Sequence, residues 1–255
     1  GLAMTETKKH DLPKNWELEK LEDGRLLLNM GPSHPAMHGI VRVLLTVDGE
    51  RVADADVEIG YLHRGFEKTC ENITYNQCVP YTDRLNYVSP FINNVGYALA
   101  VEKLLGIETP ARCQYVRVIM SEISRITDHL TCLGANAMEL SAFTVYFYLI
   151  NAREALYRLG DSAAGGRITP AYTRVGGLTR DLPADFKKNT EEAFKTVRKN
   201  LDDADKMLTR NRIFYDRLHG TGHISKEDAV GLSFTGPALR STGVPLDVRK
   251  ASPYL

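Results

Sequence analysis

Met30-Gly-Pro-Ser-His-Pro-Ala-Met-His-Gly39 sets two imidazoles, His34 and His38, four residues apart in a segment full of helix breakers. Pro32 and Pro35 fix their own φ and push Ser33 and His34 toward extended conformations, while Gly31 and Gly39 supply backbone freedom at either end. Residues 25–29 before it and 40–47 after it alternate apolar and polar, so the stretch predicts a rigid polar connection between two β-strands. Histidines on such a connection either decorate a tight turn or carry chemistry, since loops on rigid scaffolds often do.

Working outward, residues 16–57 read as short alternating runs broken by Glu22-Asp23-Gly24 and Asp48-Gly49-Glu50. The second break is an Asp-Gly hairpin signal, and together they predict a small antiparallel sheet. Residues 1–14 are polar and aperiodic, which predicts a loose N-terminal arm, with residues 1–3 read as an expression scar. The expected divisions are therefore an arm at 1–14, a β domain at 15–68 and a helical domain at 69–255 that is incomplete at its C-terminus.

Beyond residue 68 the apolar period lengthens to between three and four. Asn86 or Ser89 can cap a helix carrying Val95, Leu99, Val101, Leu104 and Leu105 that stops at Gly106. Thr109-Pro110 has the signature of a cap and first helical residue, and Val116, Ile119, Met120, Ile123, Ile126, Leu130 and Leu133 form a stripe that predicts a second helix ending at Gly134. These two helices are expected to pack as neighbours. A third, over about 138–158, is apolar nearly all round and is expected at the centre of a bundle. Residues 161–182 read as a link and loop with a short strand near 172–175. A long amphipathic helix follows over 183–208 with Phe186, Thr190, Phe194, Val197, Leu201, Ala204 and Leu208 on one face. Residues 220–243 hold repeated Gly with Ser and Thr. The resulting fold class is α+β.

The 255 residues are 43% hydrophobic and 25% charged, an ordinary globular composition. Thirty-two basic residues balance thirty-two acidic ones, which argues against a nucleic-acid surface and fits an assembly component at least as well as a free enzyme. Cys70, Cys78, Cys113 and Cys132 lack C-x-x-C spacing, and no signal or transit pattern opens the chain, so reduced, core-packed thiols in a cytosolic setting are expected. The most apolar run, 142–150, is under half the roughly 20 residues a membrane-spanning helix requires.

No phosphate-cradling loop is present: there is no G-x-G-x-x-G after a strand, and Gly236 is followed by Pro237. No serine-centred nucleophile elbow appears. Pro35 forbids the helix that would align His34 and His38 as metal ligands, and the cysteines add no companion cluster, so no metal site is expected. Proton donation suits a histidine better, because its ordinary pKa of roughly 6.5 lies near physiological pH. Tyr75-Asn-Gln-Cys-Val-Pro-Tyr-Thr-Asp-Arg-Leu-Asn-Tyr87 is a second concentration of polar chemistry. Taken at its plainest, Asp83 and Arg84 form a surface pair and Tyr87 packs in the core. Glu139, heading the apolar third helix, is either a helix N-terminal acid or the counter-charge of a histidine.

From about residue 16 to the last, the sequence resembles the quinone-site D subunit (49-kDa type) of respiratory complex I, NADH:quinone oxidoreductase. The loop at 31–39 is similar to that family's G-P-x-H-P-x-x-H-G, Leu62-His-Arg-Gly-Phe-Glu-Lys68 to its L-H-R-G-x-E-K, Pro80-Tyr-Thr-Asp-Arg-Leu-Asn-Tyr87 to its P-Y-x-D-R-L-D-Y, and Arg174-Val-Gly-Gly177 to its R-x-G-G turn. The resemblance implies that His38 and Tyr87 hydrogen-bond the quinone headgroup and donate its protons, supported by His34, Asp83 and Glu139. Glu139 falls where the family usually has Asp paired with the quinone-site histidine. Arg64 and Arg84 match arginines facing a [4Fe-4S] cluster held by a neighbouring subunit, with nothing bound covalently by this chain. Thr169 stands where the family often has a histidine, implying cluster reduction that is less coupled to pH.

The same resemblance implies the B, C and I subunits and the membrane-arm H subunit as partners, quinone as substrate, no nucleic acid, and a peripheral place on the cytoplasmic side of the bacterial inner membrane. The family is similar in turn to the large subunit of nickel-iron hydrogenases, which implies a hydrogenase-like fold. That metal needs paired C-x-x-C motifs, and only Cys78 lies in the matching region, so nickel is not expected. A membrane-bound hydrogenase relative and a non-catalytic scaffold are the rival readings.

Overall fold

The computed structural model describes residues 18–35, 37 and 39–253, and of residues 18 and 19 the backbone alone. Contacts divide the chain into two compact units, Gly1–Phe66 and Glu67–Leu255.

In the first unit, β1 (Leu18–Lys20), β2 (Leu26–Met30), β3 (Arg42–Asp48) and β4 (Arg51–Glu58) form an antiparallel meander in sequence order. The expected hairpin is there: Asp48 pairs with Arg51 across Gly49-Glu50, and Gly49 has a φ of +61°, the left-handed conformation that such tight turns require. β2 pairs with β3 from Leu26 opposite Val47 to Met30 opposite Val43, so the histidine-bearing stretch is the loop joining these two neighbours. At its base the Arg42 guanidinium donates to Asn29 Oδ1 (3.1 Å) and Glu58 Oε2 (2.9 Å), tying β2, β3 and β4 together where the loop leaves and re-enters. Gly31, with a φ of +113°, cannot be replaced there: a Cβ would lie 2.1 Å from the Val41 carbonyl oxygen.

The second unit opens with α1 (Phe66–Cys70) and α2 (Tyr75–Thr82), two helices that the apolar period did not announce. The Thr74 N–H donates to Gln77 Oε1 (2.9 Å), closing the first turn of α2, and Pro80 is accommodated in its last turn. α3 (Pro90–Leu105) starts after Ser89 and ends at Gly106 with a φ of +66°, as the sequence predicts. α4 (Ala111–Glu139) is capped at Pro110, one residue later than expected. It also runs through Gly134 instead of ending there. That glycine is a packing position: a Cβ would meet the Tyr146 ring of the next helix at 3.4 Å.

α5 (Phe143–Ala164) lies between α4 and α6 (Phe186–Leu208). Val145, Leu149, Ala152, Leu156, Leu159 and Ala163 bury one face of α5, but Phe143 and Phe147 are exposed, so the helix is not enclosed all round as its composition predicts. The buried stripe of α6 is Phe186, Ala193, Val197, Asn200 and Ala204; Thr190, Phe194 and Leu201 sit at its edge. Small side chains on α6 let the two backbones approach, and larger residues flank the seam. β5 (Thr173–Arg174) and β6 (Gly177–Leu178) form a two-stranded ribbon between α5 and α6 in sequence.

Residues 212–251 carry four short helices, α7 (Arg212–Leu218), α8 (Lys226–Gly231), α9 (Gly236–Ser241) and α10 (Val248–Ala251). Side-chain caps explain three of them: Asn211, Ser225 and Asp247 accept from backbone N–H groups of α7, α8 and α10.

Candidate functional site

The turn between α2 and α3 gathers Asp83, Arg84 and Tyr87. Asp83 is fully buried, which corrects the surface pair expected with Arg84. Its Oδ1 accepts from Asn94 Nδ2 (2.8 Å) and its Oδ2 from the Ala171 N–H (3.1 Å). Asn94 also donates to Thr82 Oγ1 (2.8 Å) and accepts from the Tyr172 N–H (3.1 Å). One carboxylate and one amide thus bind the end of α2, the first turn of α3 and the segment leading into β5. Burial pushes the Asp83 carboxyl above its ordinary range, against the opposing effects of these hydrogen bonds and the Arg84 and Arg174 charges. Arg84 turns outward, with Nη1 at 3.8 Å from Asp83 and donating to the Pro80 carbonyl.

Tyr87 is exposed over 60% of its surface, the opposite of the core position expected from its residue type. Its backbone is held firmly. The Asn86 carbonyl accepts from the Ser89 N–H (3.1 Å), closing a four-residue turn with Tyr87 at its second position, and also from Asn93 Nδ2 (3.0 Å). Thr127 Oγ1 of α4 lies 3.2 Å from the Val88 carbonyl. A phenol left open on a pinned backbone is placed rather than packed, and hydroxyl and ring remain available to a ligand.

A third anchor lies toward the far, C-terminal end of α3. Arg117 and Glu102 form a buried bidentate pair at 2.7 and 2.8 Å, and Arg117 Nη2 also donates to the carbonyls of Arg174 (2.9 Å) and Gly177 (3.1 Å). Glu102 Oε1 in turn accepts from the Gly176 N–H (2.7 Å), so the Arg174–Gly177 turn is clasped from both sides. Burial by itself would raise the Glu102 carboxyl, but the Arg117 and Gly176 hydrogen bonds outweigh it and hold the group below its ordinary value. Sequence reasoning did not find Glu102, Arg117 or Asn94; each lies on a helix stripe and has partners remote in sequence.

The remaining predicted residues belong to other segments of the chain. His38 lies outside the described residues. His34 is half-buried in the loop of the β unit, where its carbonyl accepts from the Met37 N–H (3.1 Å), and Arg64 is exposed near the end of that unit. Glu139 is the last residue of α4 and is exposed, so it does not head the following helix and is no N-terminal acid. Thr169 is exposed in the loop before β5. Among the cysteines, Cys78 and Cys113 are buried as expected, while Cys70 is half-buried and Cys132 exposed; all four are free thiols. Among the described residues no group of three His, Cys, Asp or Glu side chains could hold a metal, and no helix is long and apolar enough to cross a membrane. An apolar groove of about 750 Å³ between α4 and the start of α6, walled by Ile119, Ile123, Phe186 and Phe194, is lined by none of the predicted site residues.

The fold and the turn together define an α+β chain in which a helical unit presents the exposed Tyr87 and Arg84 side chains on a buried polar frame. A family profile described as respiratory-chain NADH dehydrogenase, 49 Kd subunit, matches residues 139–255. The chain is 56% identical over 230 residues to the NADH-quinone oxidoreductase D 1 subunit of Sorangium cellulosum (strain So ce56), covering 90% of this chain and 57% of the relative. It is 53% identical over 230 residues to the D 2 subunit of Anaeromyxobacter sp. (strain Fw109-5), covering 90% and 53%. With the D subunit of Methylacidiphilum infernorum (isolate V4) the identity is 53% over 234 residues, covering 92% and 56%. The chain belongs to this family of 49 kDa, or D, subunits. It spans a little over half the length of the relatives it matches.

Proposed function

We propose that this chain is the quinone-reducing part of the D subunit in a proton-pumping NADH:quinone oxidoreductase, with Tyr87 and His38 as proton donors to the quinone. The observation that carries this reading is the exposed Tyr87 phenol on its hydrogen-bonded turn, within a chain more than half identical to a protein named for quinone reduction. Reduction of a quinone to a quinol takes up two electrons and two protons. A phenol with an ordinary pKa of roughly 10 donates only as negative charge develops on the quinone oxygen, so it protonates the reduced molecule and not the resting one. An imidazole, with its ordinary value of roughly 6.5, is the readier donor.

The electrons are supplied by a [4Fe-4S] cluster held by a neighbouring subunit. Toward that group this chain contributes positive charge: Arg84 and Arg64 are exposed residues, and cationic charge beside a cluster would favour its reduced, more negative form. His34, Asp83 and Glu139 are supporting residues in this scheme, and the partners are the B, C and I subunits with the membrane-arm H subunit, on the cytoplasmic side of the bacterial inner membrane. With Thr169 in the loop before β5, cluster reduction is expected to be less coupled to pH than in relatives with a histidine there, and a redox titration of the assembled enzyme showing a strong pH slope would refute this. Replacing Tyr87 by Phe in that enzyme should lower quinone turnover about a hundredfold while assembly is kept. Unchanged turnover would remove Tyr87 from the mechanism.

A further inference from the structure

The turn that presents Tyr87 is closed by its own atoms, by α3 and by the Thr127 hydroxyl of α4, and one side chain also joins it to a carboxylate of α4. Asn86 Nδ2 has two hydrogens; one goes to Ser89 Oγ (2.7 Å) within the turn and the other to Asp128 Oδ2 (3.4 Å) on α4. Asp128 is not a solvated surface acid. It is half-buried, and it faces Tyr157 of α5 closely enough that its charge contributes to raising that phenol, which burial chiefly pushes up. The Arg153 guanidinium, on the same helix as Tyr157, stacks 5.1 Å from its ring centre and donates to Thr131 Oγ1 of α4 (3.2 Å). The carboxylate therefore sits in a polar seam between α4 and α5, with the Tyr87 turn reaching into that seam through Asn86.

We propose that Asn86 and Asp128 are a positioning pair for Tyr87, fixing the turn against α4 so that the phenol meets the quinone at a constant place. The inference rests on the reading of Tyr87 as proton donor. The chemistry of the pair is complementary but not tied to one order of residues: an amide must face a carboxylate, and two facing carboxylates repel. Exchanging the two residues therefore preserves the contact, whereas changing one alone does not. A displaced donor costs turnover steeply, because proton transfer needs hydrogen-bond reach.

The test uses the full-length protein in its assembled enzyme, with a short-chain ubiquinone as substrate. Asn86→Asp alone should lower kcat about tenfold with KM little changed, and Asn86→Asp combined with Asp128→Asn should recover turnover to within about threefold of the parent. An Asn86→Asp variant with parental turnover, or an exchanged pair no better than Asn86→Asp, would overturn the proposal. If Asn86→Asp does not assemble, Asn86→Ala carries the same test: adding Asp128→Asn to it should cause no further loss, and independent, additive losses would sink the pairing. Tyr87→Phe separates the two claims. Parental turnover in Tyr87→Phe removes the proton-donor reading, while an impaired Tyr87→Phe beside an uncoupled Asn86 and Asp128 removes only the positioning pair.

Discussion

Asp83 illustrates how far a residue's role depends on what is folded over it. Beside Arg84 in the sequence it has every mark of a surface ion pair, yet its partners are Asn94 and the Ala171 N–H, the second of them 88 residues away. Replacing Asp83 by Ala leaves one Asn94 Nδ2 hydrogen and the half-buried Ala171 N–H without their acceptor, and should cost about 1–3 kcal/mol, measured by urea unfolding. The pH dependence has a definite sign. Because burial raises the folded-state value of this carboxyl, its contribution to stability is full below the unfolded carboxylate range and is lost as pH rises through the folded value. The parent chain should therefore lose stability relative to Asp83→Asn as pH rises above the unfolded carboxylate range, about pH 4. Tyr87 makes the complementary point: tyrosines usually bury the ring, and only the turn at 86–89 explains why this one does not.

Helices were legible where a stripe and a cap coincided and misread where a glycine or a carboxylate had a tertiary partner. Gly106 ends α3 in the left-handed conformation that glycine adopts freely, whereas Gly134 stays helical and packs against Tyr146 of α5, so α4 continues to Glu139. Gly134→Leu should destabilise by about 1–3 kcal/mol through overpacking against Tyr146, whereas Gly134→Ala, which gains helix propensity and meets the ring at the edge of contact, should be close to neutral. Differential scanning calorimetry separates the two. Glu102 and Arg117 read as ordinary polar residues on α3 and α4, yet they join those helices to the β5–β6 ribbon. Glu102→Gln leaves the Arg117 charge buried and uncompensated, at an expected cost of about 3–5 kcal/mol. Glu102→Leu with Arg117→Met should recover only part of that loss, because the Arg174 and Gly177 carbonyls would remain without their donor. The depressed Glu102 value gives the opposite pH sign to Asp83: its contribution is present above the unfolded carboxylate range and lost as pH falls through the folded value.

The whole chain combines zero formal charge with exposed apolar side chains on α4 and α5, among them Ile119, Leu133, Phe143 and Phe147. Little electrostatic repulsion then opposes association through those faces. The chain should self-associate near neutral pH, and Phe143→Lys with Phe147→Lys should shift sedimentation toward monomer; an unchanged distribution would show that these side chains are not the contact. The α+β class, the β-hairpin at Gly49, the loop joining β2 and β3, and the long helices over residues 90–208 follow from period, turn chemistry and caps. Those signals are local, written within a few residues of one another. The burial of Asp83, the exposure of Tyr87, the passage of α4 through Gly134 and the clasp on Arg174–Gly177 could not be read that way. Each depends on a group tens of residues distant arriving within hydrogen-bond or van der Waals reach, and only the packed helices bring it there.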